Sequence, residues 1–132
     1  MRVIKENNEI LCIILKSNEW KKGLNFLTPS DMFIQAGTWS YDKGKQLMAH
    51  VHKKYERKIN KTMETIFIKR GSLKINIFNN KKEHLESIVV IEGDTAILCN
   101  GGHGYEILED NTEVLEVKNG PFIDVEKDKE KF

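Results

Sequence analysis

Short apolar runs separated by turn signals constrain this chain more than any other feature of its sequence. From Thr65 onward, apolar stretches alternate with Gly, Asn and Asp at intervals of about ten residues. No apolar stripe with helical spacing is long enough to predict a substantial helix. Eight to ten short strands of this kind predict an all-β protein, an antiparallel sandwich or barrel.

Individual strands can be placed by their alternation of apolar and polar residues. Residues 9–16 form an isoleucine-rich run that we expect to be buried on both faces, and residues 46–52 alternate with His50 and His52 on one face. Hairpins are expected across Gly71-Ser72 and between the last two strands. The other predicted strands cover residues 32–41, 65–69, 73–78, 85–91, 95–99, 105–108 and 114–117.

Length and composition favour one domain and give no case for a nucleic-acid or membrane partner. The 132 residues fit a single domain over residues 1–132, with a charged tail from about residue 124. Because 21 Lys and Arg are nearly balanced by 20 Asp and Glu, the net charge of +1 gives no case for nucleic acid. The first apolar run, residues 10–15, is too short for a signal peptide or a spanning helix, which predicts no membrane partner. Two cysteines are too few for a disulfide framework, so we predict reduced thiols and a cytoplasmic location.

Three histidines and one glutamate form the candidate metal site. On a strand, His50 and His52 project to the same side about 6.6 Å apart, close enough for both imidazoles to reach one ion. The same alternation puts Glu64 on an inward face with Ile66, where a carboxylate is costly unless it is paired or binds a metal. His103 lies between glycines in a turn and is free to point inward.

The mixed nitrogen and oxygen ligand set narrows the choice of metal. Imidazole and carboxylate suit one divalent transition metal, Fe, Zn, Ni, Cu or Mn, and argue against Ca and Mg. Four protein ligands on an octahedral ion leave positions free for substrate or water, as catalysis requires. The alternative is that His50 and His52 are merely polar residues on an exposed strand face.

The spacing of these residues resembles the two motifs of the cupin superfamily. The first motif is matched by Gly44, five residues, His50-x-His52, then Glu64, six residues and Gly71. The second is matched by Gly93-Asp94, Cys99-x-Gly101 and His103. The resemblance implies an antiparallel double-stranded β-helix, also called a jelly-roll barrel. It also implies that His50, His52, Glu64 and His103 bind a metal inside that barrel.

One departure from the motif concerns the carboxylate. Cupins usually have three or four residues between the second histidine and the glutamate, whereas eleven separate His52 from Glu64. Glu56 is an alternative ligand, but only Glu64 is followed by six residues and a glycine, so Glu64 is preferred. This long insert and the closing EVKNGPF resemble a group of single-domain cupins that often accompany enzymes of surface-polysaccharide or nucleotide-sugar synthesis.

Two further residues are candidates for catalysis. Tyr105 shares strand parity with His103, so its hydroxyl is placed to hold or protonate a substrate. Arg57, in the insert, is suited to bind a carboxylate or phosphate bidentately, although a solvated arginine is the commoner outcome. Cys99 is expected to be a small buried hydrophobe rather than a nucleophile.

These candidate residues are compatible with several functions. The first is a metal-dependent isomerase or epimerase that acts on a small polar molecule such as a sugar or sugar nucleotide. With iron, the same site would suit a dioxygenase. The alternatives are a metal-free sugar isomerase with a histidine base and a non-catalytic small-molecule-binding protein. By analogy with small cupins we also expect a homodimer in which the strand of residues 9–16 pairs across the interface.

Overall fold

The chain folds mainly into antiparallel β-strands. The computed structural model describes residues 1–122 and 124–132, and within them it contains ten strands, a short 3-10 turn at Ser17–Glu19 and a single helical turn. The strands are β1 (Arg2–Glu6), β2 (Glu9–Leu15), β3 (Gly23–Phe26), β4 (Gly37–Ser40), β5 (Glu64–Arg70), β6 (Ser72–Phe78), β7 (His84–Ile91), β8 (Thr95–Leu98), β9 (Gly102–Ile107) and β10 (Glu113–Lys118). The helical turn, α1, covers Val125–Asp128, and no helix in the described ranges is long and apolar enough to cross a bilayer.

The strands form a large sheet, a small sheet and a separate ribbon. The large sheet has the order β1-β2-β8-β5-β10, the small sheet has the order β7-β6-β9, and β3 pairs with β4. Every pairing is antiparallel, which confirms the predicted all-β antiparallel class. The sheets do not close into a barrel over the residues described, so the double-stranded β-helix stays a prediction.

The two larger sheets bury a common aliphatic core. Alternate residues of β5 and β6, among them Ile66, Ile68, Ile75 and Ile77, are almost completely buried in one cluster. Each such side chain contributes roughly 1.5–3 kcal/mol of burial free energy. A second cluster on the large sheet is covered by a loop that supplies Leu27, Met32, Phe33, Ile34 and Ala36.

The predicted hairpins are wrong, although the strands themselves are present. β5 and β6 flank Gly71 but belong to different sheets: β5 pairs with β8 and β10, and β6 with β7 and β9. Gly71, with φ of 80°, therefore turns the chain from one sheet to the other. The last two strands, β9 and β10, are divided in the same way. A turn signal predicts a reversal of the chain, but core packing determines which strands become neighbours.

Other strand boundaries also differ from the prediction. Residues 46–52 form no strand and are exposed, as are the residues that follow them up to Thr62. In the stretch predicted as a strand over 32–41, only β4 is extended, because residues 32–36 fold over the large sheet. β2 is buried as expected but pairs with β1 and β8 on its two edges, so it cannot pair across an interface. β1 and β3 were not predicted.

Candidate functional site

A wide cavity of about 870 Å³ opens beside β9, and a cluster of titratable side chains lies on its wall. The ladders of three strands bring this group together. Glu64, the first residue of β5, lies opposite Lys118 on β10. His103 and Tyr105, two apart on β9, lie opposite Ile77 and Ile75 of β6, on the side of that sheet that faces the core. All four polar side chains line the cavity.

Glu64 is the centre of this cluster. Glu64 is only 4% exposed, so its carboxylate needs contacts that compensate for the loss of water. The Tyr105 hydroxyl donates to Oε1 at 2.5 Å, and His103 Nε2 lies 3.6 Å from the same oxygen. Lys118 Nζ lies 3.3 Å from Oε2 and 2.8 Å from Glu116 Oε1. The carboxylate therefore has a hydroxyl, an imidazole and an ammonium group around it.

The charge states of the cluster follow from these contacts. Burial opposes a charge on Glu64, but the neighbouring His103, Tyr105 and Lys118 outweigh it and lower its pKa to about 2. Burial, together with the adjacent Glu64 carboxylate, raises the pKa of the Tyr105 hydroxyl. Glu116 and Glu64 raise the pKa of Lys118 despite the opposing effect of burial. At neutral pH the cavity thus presents a carboxylate, a protonated tyrosine and an ammonium group side by side.

The other predicted site residues lie outside this cluster. His50 and His52 are in the exposed segment 41–62, where their rings are 5.1 Å apart and His50 Nδ1 lies 3.2 Å from the Met48 carbonyl oxygen. The Arg57 guanidinium lies over the Tyr55 ring, 5.5 Å from its centroid. His50, His52 and Arg57 do not line the cavity. The structure therefore brings together Glu64, His103 and Tyr105, but not His50, His52 and Arg57.

Two of the four predicted metal ligands fit a common site as the chain is folded. Glu64 and His103 share one wall of the cavity, but Tyr105 and Lys118 already contact the two oxygens of Glu64. Across residues 1–122 and 124–132, no three side chains of His, Cys, Asp or Glu are grouped closely enough to hold an ion. A four-ligand site would require segment 41–62 to move towards β9.

Two residues near the site were missed by the sequence interpretation. Lys118 contacts Glu64, and the strand parity of EVLEVK, which puts Glu116 and Lys118 on one face, was the signal that could have revealed it. Asn119 accepts a hydrogen bond from the Met63 amide at 2.6 Å and donates to the Lys61 carbonyl at 3.1 Å. It fixes the backbone immediately before Glu64, and no sequence pattern indicates that role.

Comparison with known proteins gives no family for this chain. No protein-family model, curated protein or solved structure matches it. The case for a function therefore depends on the chain's own residues and their geometry.

Proposed function

We propose that this protein is a metal-binding enzyme of the cupin type that isomerises or epimerises a small polar molecule such as a sugar or sugar nucleotide. The observation that carries the proposal is the contact of Tyr105 and His103 with the buried Glu64 carboxylate, on the wall of an open cavity. Such reactions move a proton next to a carbonyl or hydroxyl group, and they need an acid and a base within reach of one another.

The residues of the cluster have complementary roles in this proposal. Tyr105 keeps its proton beside Glu64 and serves as the acid that donates to a substrate oxygen. In the metal-bound enzyme His103 would be a ligand of the ion, and another base would take the substrate proton. Without a metal, His103, whose ring centroid is 5.3 Å from that of Tyr105, is placed to accept that proton itself. Lys118 balances the charge of Glu64 and orients its second oxygen. Removal of a proton at one carbon and its return at another would give the isomerised product.

The proposed metal needs the two histidines of segment 41–62. Among the described strands β9 pairs only with β6, so its other edge is free to accept residues 46–52 as an added strand. The chain between His52 and Glu64 spans up to about 40 Å when extended, so its length permits this movement. One divalent transition metal, Fe, Zn, Ni, Mn or Cu, would then be held by His50, His52, Glu64 and His103. Such an ion polarises a bound carbonyl or hydroxyl group.

A second candidate is a metal-free sugar isomerase. The specific observation in its favour is that Tyr105, Glu64 and His103 are already in contact while His50 and His52 lie in the exposed segment. In this version His103 is the general base, and Arg57 would bind a phosphate or carboxylate of the substrate only if the segment closes.

Metal analysis separates the two candidates. The protein should be purified without added metal, and its bound metals quantified beside His50→Ala, His103→Ala and, as a matched control, His84→Ala in an exposed position. We expect about one equivalent in the wild type and in His84→Ala, and a loss of most of it in the other two variants. Occupancy below about 0.2 equivalents that does not change in His50→Ala would contradict metal binding.

The reaction class has its own test. A panel of aldoses, ketoses and their nucleotide derivatives would be incubated with the protein in deuterium oxide, with and without chelator. Incorporation of deuterium at a carbon next to a carbonyl, lost in His103→Ala, would support proton transfer. Full incorporation in chelator would select the metal-free candidate, and no incorporation in the whole panel would contradict both.

The location and assembly state complete the proposal. Cys12 and Cys99 are both buried free thiols, and burial raises the pKa of Cys99 to about 11, which suits the predicted reduced, cytoplasmic environment.

We also propose a homodimer, with Leu24, Phe26 and Trp39 on the exposed face of the β3–β4 ribbon as its contact residues. Light scattering that gives a monomer at micromolar concentration would contradict it.

A further inference from the structure

We propose that residues 124–132, here called the latch, close one side of the cavity and open it by releasing the aromatic ring of Phe132. Asp128 to Phe132 line the same cavity as Glu64 and His103. The latch begins with α1, whose first turn is capped by the Asp124 side chain, which accepts a hydrogen bond from the Lys127 amide at 2.8 Å. This regulatory role is independent of the reaction that the site performs.

The ring of Phe132 is the anchor of the latch. It packs edge-on against Phe78 of β6, with the ring centroids 5.1 Å apart and the planes at 89°. Lys82 Nζ lies 5.5 Å from the centroid of the same ring and 2.8 Å from Glu130 Oε1. The first contact is with the last residue of β6 and the second is with the turn between β6 and β7, so the latch is tied to the small sheet.

The path of the latch crosses the start of β9. Gly102 and His103 are consecutive on that strand, so they face opposite sides of the small sheet. Phe132 lies on the Gly102 side, whereas Glu64 and Tyr105 are on the His103 side. A latch that reaches both the cavity and Phe78 must therefore pass over the start of β9.

Gly102 provides the space in which the ring sits. A Cβ atom at Gly102 would lie 2.8 Å from Phe132 Cζ, closer than real contacts allow, and 3.1 Å from Phe132 Cε1, which is tighter than most real contacts. At Gly104, two residues along the same face, the nearest atom to a Cβ would be Phe78 Cε2 at 4.0 Å. Only the glycine beneath the ring is needed to leave space for the latch.

The contacts of the latch are those of a releasable element. Phe132 is 62% exposed although it packs against Phe78, and no strand pairing holds residues 129–132. Exposed ion pairs such as Lys82 with Glu130 add little to such an anchor. Asp128 also accepts a hydrogen bond from the Thr62 hydroxyl at 2.7 Å, so the latch touches the end of the segment that carries His50 and His52. Its release would free that segment and the cavity together.

Chemical labelling of His103 tests the latch directly. The wild type, Phe132→Ala and Gly102→Ala would be treated with diethyl pyrocarbonate at one fixed pH, and labelling at each histidine would be followed by peptide mass spectrometry. His50 and His52, which are exposed in segment 41–62, serve as internal references. We expect His103 to be labelled about two- to tenfold faster in both variants, the range that loss of one aromatic contact gives in a two-state equilibrium.

Gly104→Ala is the matched control, because it adds the same methyl group to the same face of β9 without reaching Phe132. Its His103 should be labelled at the wild-type rate. Urea unfolding of each variant would show that the change is local, and the exposed Phe132→Ala decides the matter if Gly102→Ala is poorly folded. A His103 rate in Phe132→Ala equal to that in Gly104→Ala would overturn the proposal.

Discussion

The candidate site draws its residues from two regions that are held in very different ways. Glu64 and His103 belong to strands whose neighbours on β6, β8 and β10 fix their positions by backbone hydrogen bonds. His50 and His52 belong to segment 41–62, which has no strand and is exposed throughout. Strand pairing fixes the positions of Glu64 and His103. The positions of His50 and His52 would be fixed only by contact with a ligand, a metal or the free edge of β9.

Charge accentuates the contrast between the two regions. Segment 41–62 contains seven Lys and Arg against Asp42 and Glu56, which gives it a net charge of +5. Since the whole chain carries +1, the remainder carries −4. Repulsion between like charges disfavours a compact fold of the segment by itself, whereas the opposite net charge of the remainder favours its approach to the sheets.

The largest expected effect is a difference in proteolysis between the two regions. Trypsin should cut first within segment 41–62, at sites such as Lys53, Lys54 and Arg57, at least about 100-fold faster than at Lys74 on the central strand of the small sheet. Peptide mass spectrometry over a time course measures the two rates. Comparable early cleavage at Lys74 would show that the strands are no better ordered than the segment.

Metal ions sharpen the same experiment. If His50 and His52 join Glu64 and His103 on the edge of β9, addition of Zn²⁺ should slow cleavage of the segment by about tenfold or more. A double variant, His50→Ala with His52→Ala, provides the control and should keep the fast rate. Equal slowing in both proteins would mean that the ion acts elsewhere, for example on trypsin.

The next largest effect concerns Asp94, which supports the ordered region. This carboxylate is 1% exposed and accepts hydrogen bonds from Lys16 Nζ at 2.7 Å and from the Ser17 and Ile91 amides at 2.9 and 3.0 Å. Asp94→Asn replaces one acceptor oxygen with an NH₂ group that faces other donors. We expect it to lower the free energy of unfolding by about 2 kcal/mol, measured by urea denaturation.

The pH dependence of this effect has a definite sign. Burial works against the charge on Asp94, but the Lys16 ammonium and the two amides outweigh it, so the pKa of Asp94 is lowered in the folded protein. Its stabilisation is therefore complete above the unfolded pKa of about 3.9 and is lost as the pH falls through the folded value. The difference between wild type and Asp94→Asn should shrink in acid. Asp110→Asn, in an exposed turn, is the control and should change stability little.

The same contrast explains what could be predicted from the sequence. The buried run of β2 was predicted from its unbroken isoleucine-rich stretch, and the shared face of Glu64, Ile66 and Ile68 from alternation. Both predictions hold because each strand has a core to face. Residues 46–52 alternate equally well, but alternation does not supply a neighbouring strand, and here they have none. Pattern alone therefore cannot distinguish a paired strand from an exposed one.

Long-range pairing was the part that local signals could not provide. The contact of Lys118 with Glu64 depends on the register of β10 against β5. The two residues are 54 positions apart in the sequence, and the ladder between their strands has an irregular register. β1 did have a local signal, since Asn7 and Asn8, with φ of 47° and 67°, form the kind of two-residue turn that Asn favours in hairpins. Its register, like that of β10, is fixed by the sheet.

The smallest expected effect isolates the hydroxyl group that joins Tyr105 to Glu64. Tyr105→Phe removes the 2.5 Å hydrogen bond but keeps the ring, which leaves the buried carboxylate with His103 and Lys118. We expect a loss of about 1 kcal/mol in the free energy of unfolding, measured by urea denaturation. Tyr55→Phe makes the same change in segment 41–62, where the residue is 77% exposed, and should have almost no effect. Equal losses in the two variants would mean that the hydrogen bond from the Tyr105 hydroxyl to Glu64 adds nothing to the stability of the ordered region.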